Sequence, residues 1–169
     1  MKTSILGAAA ATVFAATAVH AGGWWNHPDN GQSLVGTWNV KMTPYVCATG
    51  LPVPNATFDY IVSFHEGGTL TETSANASFQ PGQRAPGLGE WGRAGRGVFA
   101  SRAKAFILFT TVVTPPAVPR YVRGAQQIEW EINMKGADGL EAFGPVTFMD
   151  EAGNGVPPSG CVRAVGTRL

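Results

Sequence analysis

Hydrophobic and polar residues alternate with a period of two over several stretches of the chain, which is the pattern of half-buried β-strands. Within residues 34–42, Trp38 and Val40 fall on one face, while Asn39 and Lys41 fall on the other. Similar alternation, or short apolar runs bounded by turn residues, predicts further strands. These are residues 57–65, 69–78, 90–93, 98–111, 121–134, 140–149 and 160–169.

The segments between these strands are rich in the residues that form tight turns. Glu66-Gly67-Gly68 and Asn154-Gly155 are two examples. No window shows a helical period over ten residues, so no crossover helix is expected. Consecutive strands joined by hairpins form a meander, which has exposed edges unless it closes. The pattern therefore predicts an all-β fold, a closed eight-stranded antiparallel up-and-down barrel without a C-terminal helix.

The two cysteines bear on whether the barrel closes. Cys47 follows the first predicted strand and Cys161 opens the last. A disulfide between them would place residues 39–47 opposite residues 161–169 in an antiparallel pair. The chain-entropy model assigns such a bridge, which closes roughly 115 residues, about 4–5 kcal/mol of stabilisation. Two free buried thiols are the alternative.

The first 21 residues have the layout of a secretory signal peptide. Lys2 precedes an apolar stretch, and Val19-His20-Ala21 is a small-x-small pattern that predicts cleavage after Ala21. We therefore expect a secreted or periplasmic protein, in a compartment that favours the disulfide. No membrane span is expected, because no segment approaches 18 uninterrupted apolar residues. The predicted organisation is a signal peptide over 1–21, an N-terminal arm over 22–33 and a barrel domain over 34–169.

Composition narrows the classes of function. Charged residues make up 14% of the chain and the formal net charge is +1, so no basic field is available to hold a nucleic acid. The 22 glycines and 12 prolines fit a turn-rich β-protein. His27 and His65, the histidines that follow the predicted cleavage site, show no metal-ligand spacing. Neither a metal nor a cofactor is expected.

A resemblance to a known family enters at the first strand. Gly36-Thr37-Trp38 resembles the Gly-x-Trp signature of the lipocalins and the wider calycin group. Phe64 to Leu70, Gly87 to Trp91 and the terminal Gly166-Thr167-Arg168 also resemble small secreted bacterial lipocalin-like proteins. The resemblance implies that Trp38 lies at the closed end of the barrel against Arg168. An eight-stranded interior is just wide enough for side chains or one small ligand.

Aromatic side chains dominate the faces predicted to point into the barrel. The predicted ligand-binding residues are Tyr60, Phe64, Phe99, Gln126, Trp130 and Phe148. Phe109 is expected on the same inward face as Ser101, Ala103 and Ala105, and these small residues favour a cavity over a filled core. The favoured function is binding of a small hydrophobic or aromatic molecule in the interior.

Two other functions stay open. A cofactor-free isomerase or cyclase, similar in architecture to allene oxide cyclase-type barrels, would use Glu72 or Tyr60 as its polar group. Asp59 is predicted to face outward, whereas for Glu72 the inward and outward orientations are evenly balanced. An interaction protein is the third hypothesis, because Phe106 and Leu108 fall on the outer face. The expected state is a monomer or a homodimer.

Overall fold

A computed structural model describes residues 33–110 and 121–169, and these residues contain strands and no helix. The strands are β1 (Gly36–Tyr45), β2 (Phe58–Phe64), β3 (Thr69–Ser74), β4 (Gly87–Gly95), β5 (Val98–Ile107), β6 (Gly124–Met134), β7 (Gly139–Asp150) and β8 (Gly155–Arg168). Each pairs antiparallel with the next, and β8 pairs with β1 to close the barrel. The predicted closed up-and-down barrel is therefore confirmed. The predicted signal peptide and residues 22–32 of the predicted arm lie outside the described residues.

Alternating side chains along every strand point into the barrel. On β1, Trp38, Val40 and Met42 are fully buried, while Asn39 and Lys41 are exposed. The same alternation continues round the wall, so one apolar core occupies the interior. The described part of the chain contains no helix that is long and apolar enough to cross a membrane.

The contact between β1 and β8 closes the barrel. The pairing runs from Trp38 opposite Arg168 to Tyr45 opposite Cys161. The predicted disulfide between Cys47 and Cys161 is present, with Cα atoms 5.2 Å apart. The predicted register is wrong by two residues, because Cys47 lies beyond the last paired residue of β1 and reaches back to Cys161. A disulfide of this kind is typical of an oxidising compartment.

Arg168 and Trp38 form the lower end of the barrel, and the disulfide marks the upper end. The guanidinium carbon of Arg168 lies 4.3 Å from the centroid of the Trp38 ring, in the expected cation–π contact. Arg168 Nη1 donates to Val35 O (2.6 Å), and Nη2 donates to Ser33 O (2.6 Å) and Ala137 O (2.9 Å). One side chain thereby satisfies carbonyls from two separate segments.

Gly36 makes this contact possible. Its φ is +134°, and a Cβ at this position would lie 2.5 Å from Arg168 Nη1. A larger residue would therefore be strained and would displace the guanidinium. The glycine of the Gly-x-Trp motif thus has a physical role in seating the arginine.

Strand β4 is longer than predicted, because its glycines mark close approaches and not a loop. It spans Gly87–Gly95, whereas residues 90–93 were expected. A Cβ on Gly89 would lie 2.0 Å from Arg102 O, and a Cβ on Gly87 would lie 1.8 Å from a carboxylate oxygen of Glu72. A larger residue at Gly89 would collide with the backbone of β5, and one at Gly87 would collide with the Glu72 carboxylate.

Other strand ends differ from the prediction as well. The last strand begins at Gly155 and not at residue 160, and its prolines are tolerated because β1 pairs with β8 only from Cys161 onward. Strand β5 ends at Ile107, so Phe109 is 39% exposed and its predicted inward position is wrong. Phe106 is exposed on the outer face, as expected.

We expect Arg168→Lys to lower the free energy of unfolding by about 1–2 kcal/mol, because lysine cannot stack on the indole and hold several carbonyls at once. Urea unfolding followed by circular dichroism measures the change. Arg163→Lys on the exposed face of the same strand is the matched control and should be nearly neutral. Equal stability of the two variants would contradict the role given to Arg168.

Candidate functional site

A buried ion pair lies inside the upper half of the barrel. Glu72 points inward from β3 and its side chain is fully buried, while the Arg84 side chain is 4% exposed. Arg84 Nη1 donates to Glu72 Oε2 (3.1 Å), and Nη2 donates to Oε1 in the second half of a bidentate contact. Arg84 Nε donates to Gln126 Oε1 (2.6 Å). Glu72, for which the sequence left the orientation open, therefore faces inward because a cation and its hydrogen bonds compensate its burial.

Arg84 reaches the interior from the loop that joins β3 to β4, residues 75–86. Ala85 N donates to Phe106 O (2.9 Å), and Arg84 forms an isolated antiparallel bridge with Ile107. The loop is thus held against the end of β5 as a short strand would be. This backbone pairing fixes the direction in which the guanidinium enters the barrel.

Three aromatic rings pack together at the upper end. Phe79 of the same loop stacks on Tyr121, with ring centroids 4.3 Å apart and planes inclined by 22°. Tyr121 in turn lies 5.0 Å from Phe148, an inward residue of β7. Phe148 pairs with Gln126 in the sheet, so this aromatic group borders the ion pair.

Tyr60 completes the polar cluster. Its side chain is buried and hydrogen-bonds the Glu72 carboxylate. Burial, followed by the negative charge of Glu72, raises the pKa of the Tyr60 phenol well above its usual range, against a smaller opposing effect of Arg84. The phenol therefore stays protonated and acts as a hydrogen-bond donor.

Trp130 stands next to Tyr60 in the middle of the barrel. The two ring centroids are 5.4 Å apart. The neighbouring positions on the wall carry small side chains: Ser101 pairs with Trp130 itself, and Ala103 and Ala142 pair with the inward residues on either side of it along β6. Small side chains therefore lie along one diagonal of the wall around the indole, whereas Phe99 and Val146 occupy the corresponding positions on the other diagonal.

The indole nitrogen of Trp130 has no hydrogen-bond partner among the described residues, although it is buried. A buried donor without an acceptor costs about 1–3 kcal/mol in lost solvation. The unpaired indole nitrogen needs a physical explanation, because most buried polar atoms in proteins have a hydrogen-bond partner. By contrast, Trp91 Nε1 donates to Thr69 O (2.9 Å) and His65 O (3.1 Å).

The six predicted ligand-binding residues are all buried, but they do not form one group. Tyr60, Gln126, Trp130 and Phe148 lie in the middle and upper parts of the barrel, near the ion pair. Phe64 and Phe99 lie toward the lower end, where both contact Trp91 with centroids 5.9 Å and 5.8 Å away. They belong to the packed lower core.

The remaining ionisable candidates lie on the surface. Asp59 faces outward, as expected, and pairs with Lys41. His65 is exposed at the turn after β2, where its Nε2 lies 3.2 Å from Thr71 Oγ1. Across residues 33–110 and 121–169, no three His, Cys, Asp or Glu side chains are grouped as a metal site requires.

Sequence reasoning missed Arg84, because it lies in a segment rich in proline and glycine that reads as an exposed loop. One signal could have found it. A glutamate that points into an apolar barrel needs a cation to compensate its charge. Arg84 is the basic residue nearest to Glu72 in the following loop.

We expect Glu72→Gln and Arg84→Met each to lower the free energy of unfolding by about 3–5 kcal/mol, because each leaves one buried group without its partner. The double variant should lose far less than the sum. A parallel cycle on the exposed pair Arg102 and Glu129 is the control and should show coupling below about 1 kcal/mol. Additive losses in the Glu72 and Arg84 cycle would contradict the bidentate pair.

We expect the Tyr60 phenolate to appear only when the protein unfolds. Because the folded pKa is raised, this group favours the folded state fully below pH of about 10, the unfolded pKa, and less as the pH rises further. The difference in 295 nm absorbance between wild type and Tyr60→Phe isolates its titration. This difference should rise together with the loss of the circular dichroism signal. Ionisation of Tyr60 in the folded protein would contradict the assignment.

No protein-family model, curated protein or solved structure matches the chain.

Proposed function

We propose that the protein binds a small hydrophobic or aromatic molecule inside the barrel, beside Tyr60 and Trp130. The observation that carries this proposal is the contrast in size along the wall. On β5 and β7, Trp130 is flanked by Ser101, Ala103 and Ala142, whose side chains are much smaller than those of Phe99 and Val146 at the other flanking positions. A flat apolar molecule would pack against the buried indole on the side of these small residues.

The polar cluster supports the same proposal. Glu72, Arg84, Gln126 and Tyr60 hydrogen-bond one another, so they add few unsatisfied groups to the interior. A small number of fixed polar groups beside an apolar surface is typical of sites that orient a small ligand. The chemistry of the interior thus favours retention of an apolar molecule.

The alternative of a cofactor-free isomerase or cyclase has weaker support. Both oxygens of Glu72 accept hydrogen bonds from Arg84, so this carboxylate would have to leave its ion pair to take a proton. The raised pKa of the Tyr60 phenol keeps it protonated, so it is a poor base. Binding of an apolar molecule requires no change in the protonation state of Glu72 or Tyr60.

The proposal also includes export from the cytoplasm. The Cys47–Cys161 disulfide and the signal-peptide pattern of residues 1–21 both support a secreted or periplasmic site of action. In that compartment the barrel would sequester or carry its ligand.

We expect the neutral probe N-phenyl-1-naphthylamine to bind with micromolar affinity, and Ala103→Leu to weaken this binding by about tenfold or more, because the added atoms occupy the space beside Trp130. Probe fluorescence measures the binding. Ala100→Leu on the same strand is the matched control, because Ala100 is exposed on the outer face. It should bind the probe as wild type does.

Thermal unfolding of both variants decides between a site and a filled core. Overpacking a filled core costs about 1–3 kcal/mol. We expect Ala103→Leu to lose less than that, since in the proposed site the leucine side chain enters the space that the ligand would occupy. A strongly destabilised Ala103→Leu, together with no saturable binding of the probe to wild type, would contradict the proposed function.

A further inference from the structure

The Trp130 indole carries the one side-chain donor that the described part of the barrel buries without an acceptor. The residue is 5% exposed, so bulk water does not solvate the group. An indole N–H donates and does not accept, so only an acceptor atom can satisfy it. The missing partner is therefore an oxygen or a nitrogen lone pair.

None of the described side chains around Trp130 supplies this acceptor. The centroid of the Tyr60 ring lies 5.4 Å from that of Trp130, and the Tyr60 hydroxyl interacts with Glu72 without accepting a hydrogen bond from the indole nitrogen. Ser101, which pairs with Trp130 across the sheet, has a small side chain that makes no hydrogen bond to the indole nitrogen. The donor thus points to a group that belongs to a ligand.

The charges in the upper half of the barrel cancel. Glu72 contributes one negative charge and Arg84 one positive charge, and the two are joined in a bidentate pair. Among residues 33–110 and 121–169, a ligand with a net charge would find no free counter-charge there, and burial of an unpaired charge is strongly unfavourable. The site therefore selects against ions.

We propose that the ligand is a neutral apolar molecule with a carbonyl oxygen, as in an aromatic or aliphatic ketone, aldehyde or ester, and that this oxygen accepts a hydrogen bond from Trp130 Nε1. The inference rests on the proposed function and specifies the ligand's chemistry. Its apolar body lies beside the small side chains of β5. Trp130 then acts as the orienting residue of the site.

Three probes of nearly equal size test this inference: 2-acetylnaphthalene, 2-ethylnaphthalene and 2-naphthoate. At neutral pH we expect wild type to bind the ketone about tenfold more tightly than the hydrocarbon, the factor that corresponds to one hydrogen bond of about 1.4 kcal/mol. The anionic naphthoate should bind most weakly. Isothermal titration calorimetry of the full mature protein measures all three.

Trp130→Phe removes the donor and keeps an aromatic ring. In this variant the ketone and the hydrocarbon should bind equally well. Trp91→Phe is the matched control, because Trp91 Nε1 already has backbone acceptors, and it should keep the tenfold preference. In nitrogen–proton spectra of wild type, the Trp130 indole resonance, assigned by its loss in Trp130→Phe, should move downfield with the ketone only.

The outcomes separate the two proposals. If both neutral probes bind equally to wild type and the indole resonance does not move with the ketone, the carbonyl assignment is wrong while binding inside the barrel stands. If naphthoate binds most tightly, the neutrality argument is overturned. If none of the probes binds, the proposed function fails and the ligand assignment fails with it.

Discussion

A carboxylate inside an apolar barrel must be neutralised, and this constraint organises the upper half of the molecule. Glu72 points into the barrel from β3. Its partner Arg84 reaches it from the loop after β3, at the end of the barrel. Gly87 has no Cβ because the Glu72 carboxylate occupies that space. Tyr60 and Gln126 complete the hydrogen bonds of the pair.

The two ends of the barrel use arginine in different ways. At the lower end, Arg168 covers the Trp38 ring and satisfies backbone carbonyls, which ties the chain termini of the domain together. At the upper end, Arg84 extends from its loop into the barrel and neutralises the buried carboxylate of Glu72. Between them lies a neutral, aromatic region around Trp130, and the proposed ligand site occupies this region.

Much of the fold could be predicted, because a barrel wall with one face buried imposes a period of two on each strand. The extent of β4 could not be predicted from its glycines. Glycine is found both in turns and where two backbones approach closely, so its presence alone does not distinguish a loop from a strand. Strand β3 alternates threonine with other residues, so its pattern did not fix the face of Glu72. The register between β1 and β8 was wrong by two residues, because a disulfide can form from just beyond a strand end.

The candidate site could be predicted only in part. Inward alternation identified Tyr60, Gln126 and Trp130, since each lies on a strand whose apolar face is clear. Arg84 lies in a loop, and the position of a loop side chain depends on tertiary contacts such as the bridge with Ile107. The missing partner of the indole nitrogen is likewise a property of three-dimensional packing, which residue spacing does not encode.

The proposed ligand site requires room for an apolar molecule beside the Trp130 indole. Crystals of the mature protein pressurised with xenon test this directly, since xenon occupies dry apolar cavities without needing a specific hydrogen bond. We expect a xenon atom in contact with the Trp130 ring and with Ser101 or Ala103. A barrel interior that takes up no xenon, with the wall around Trp130 filled by neighbouring side chains, would contradict it.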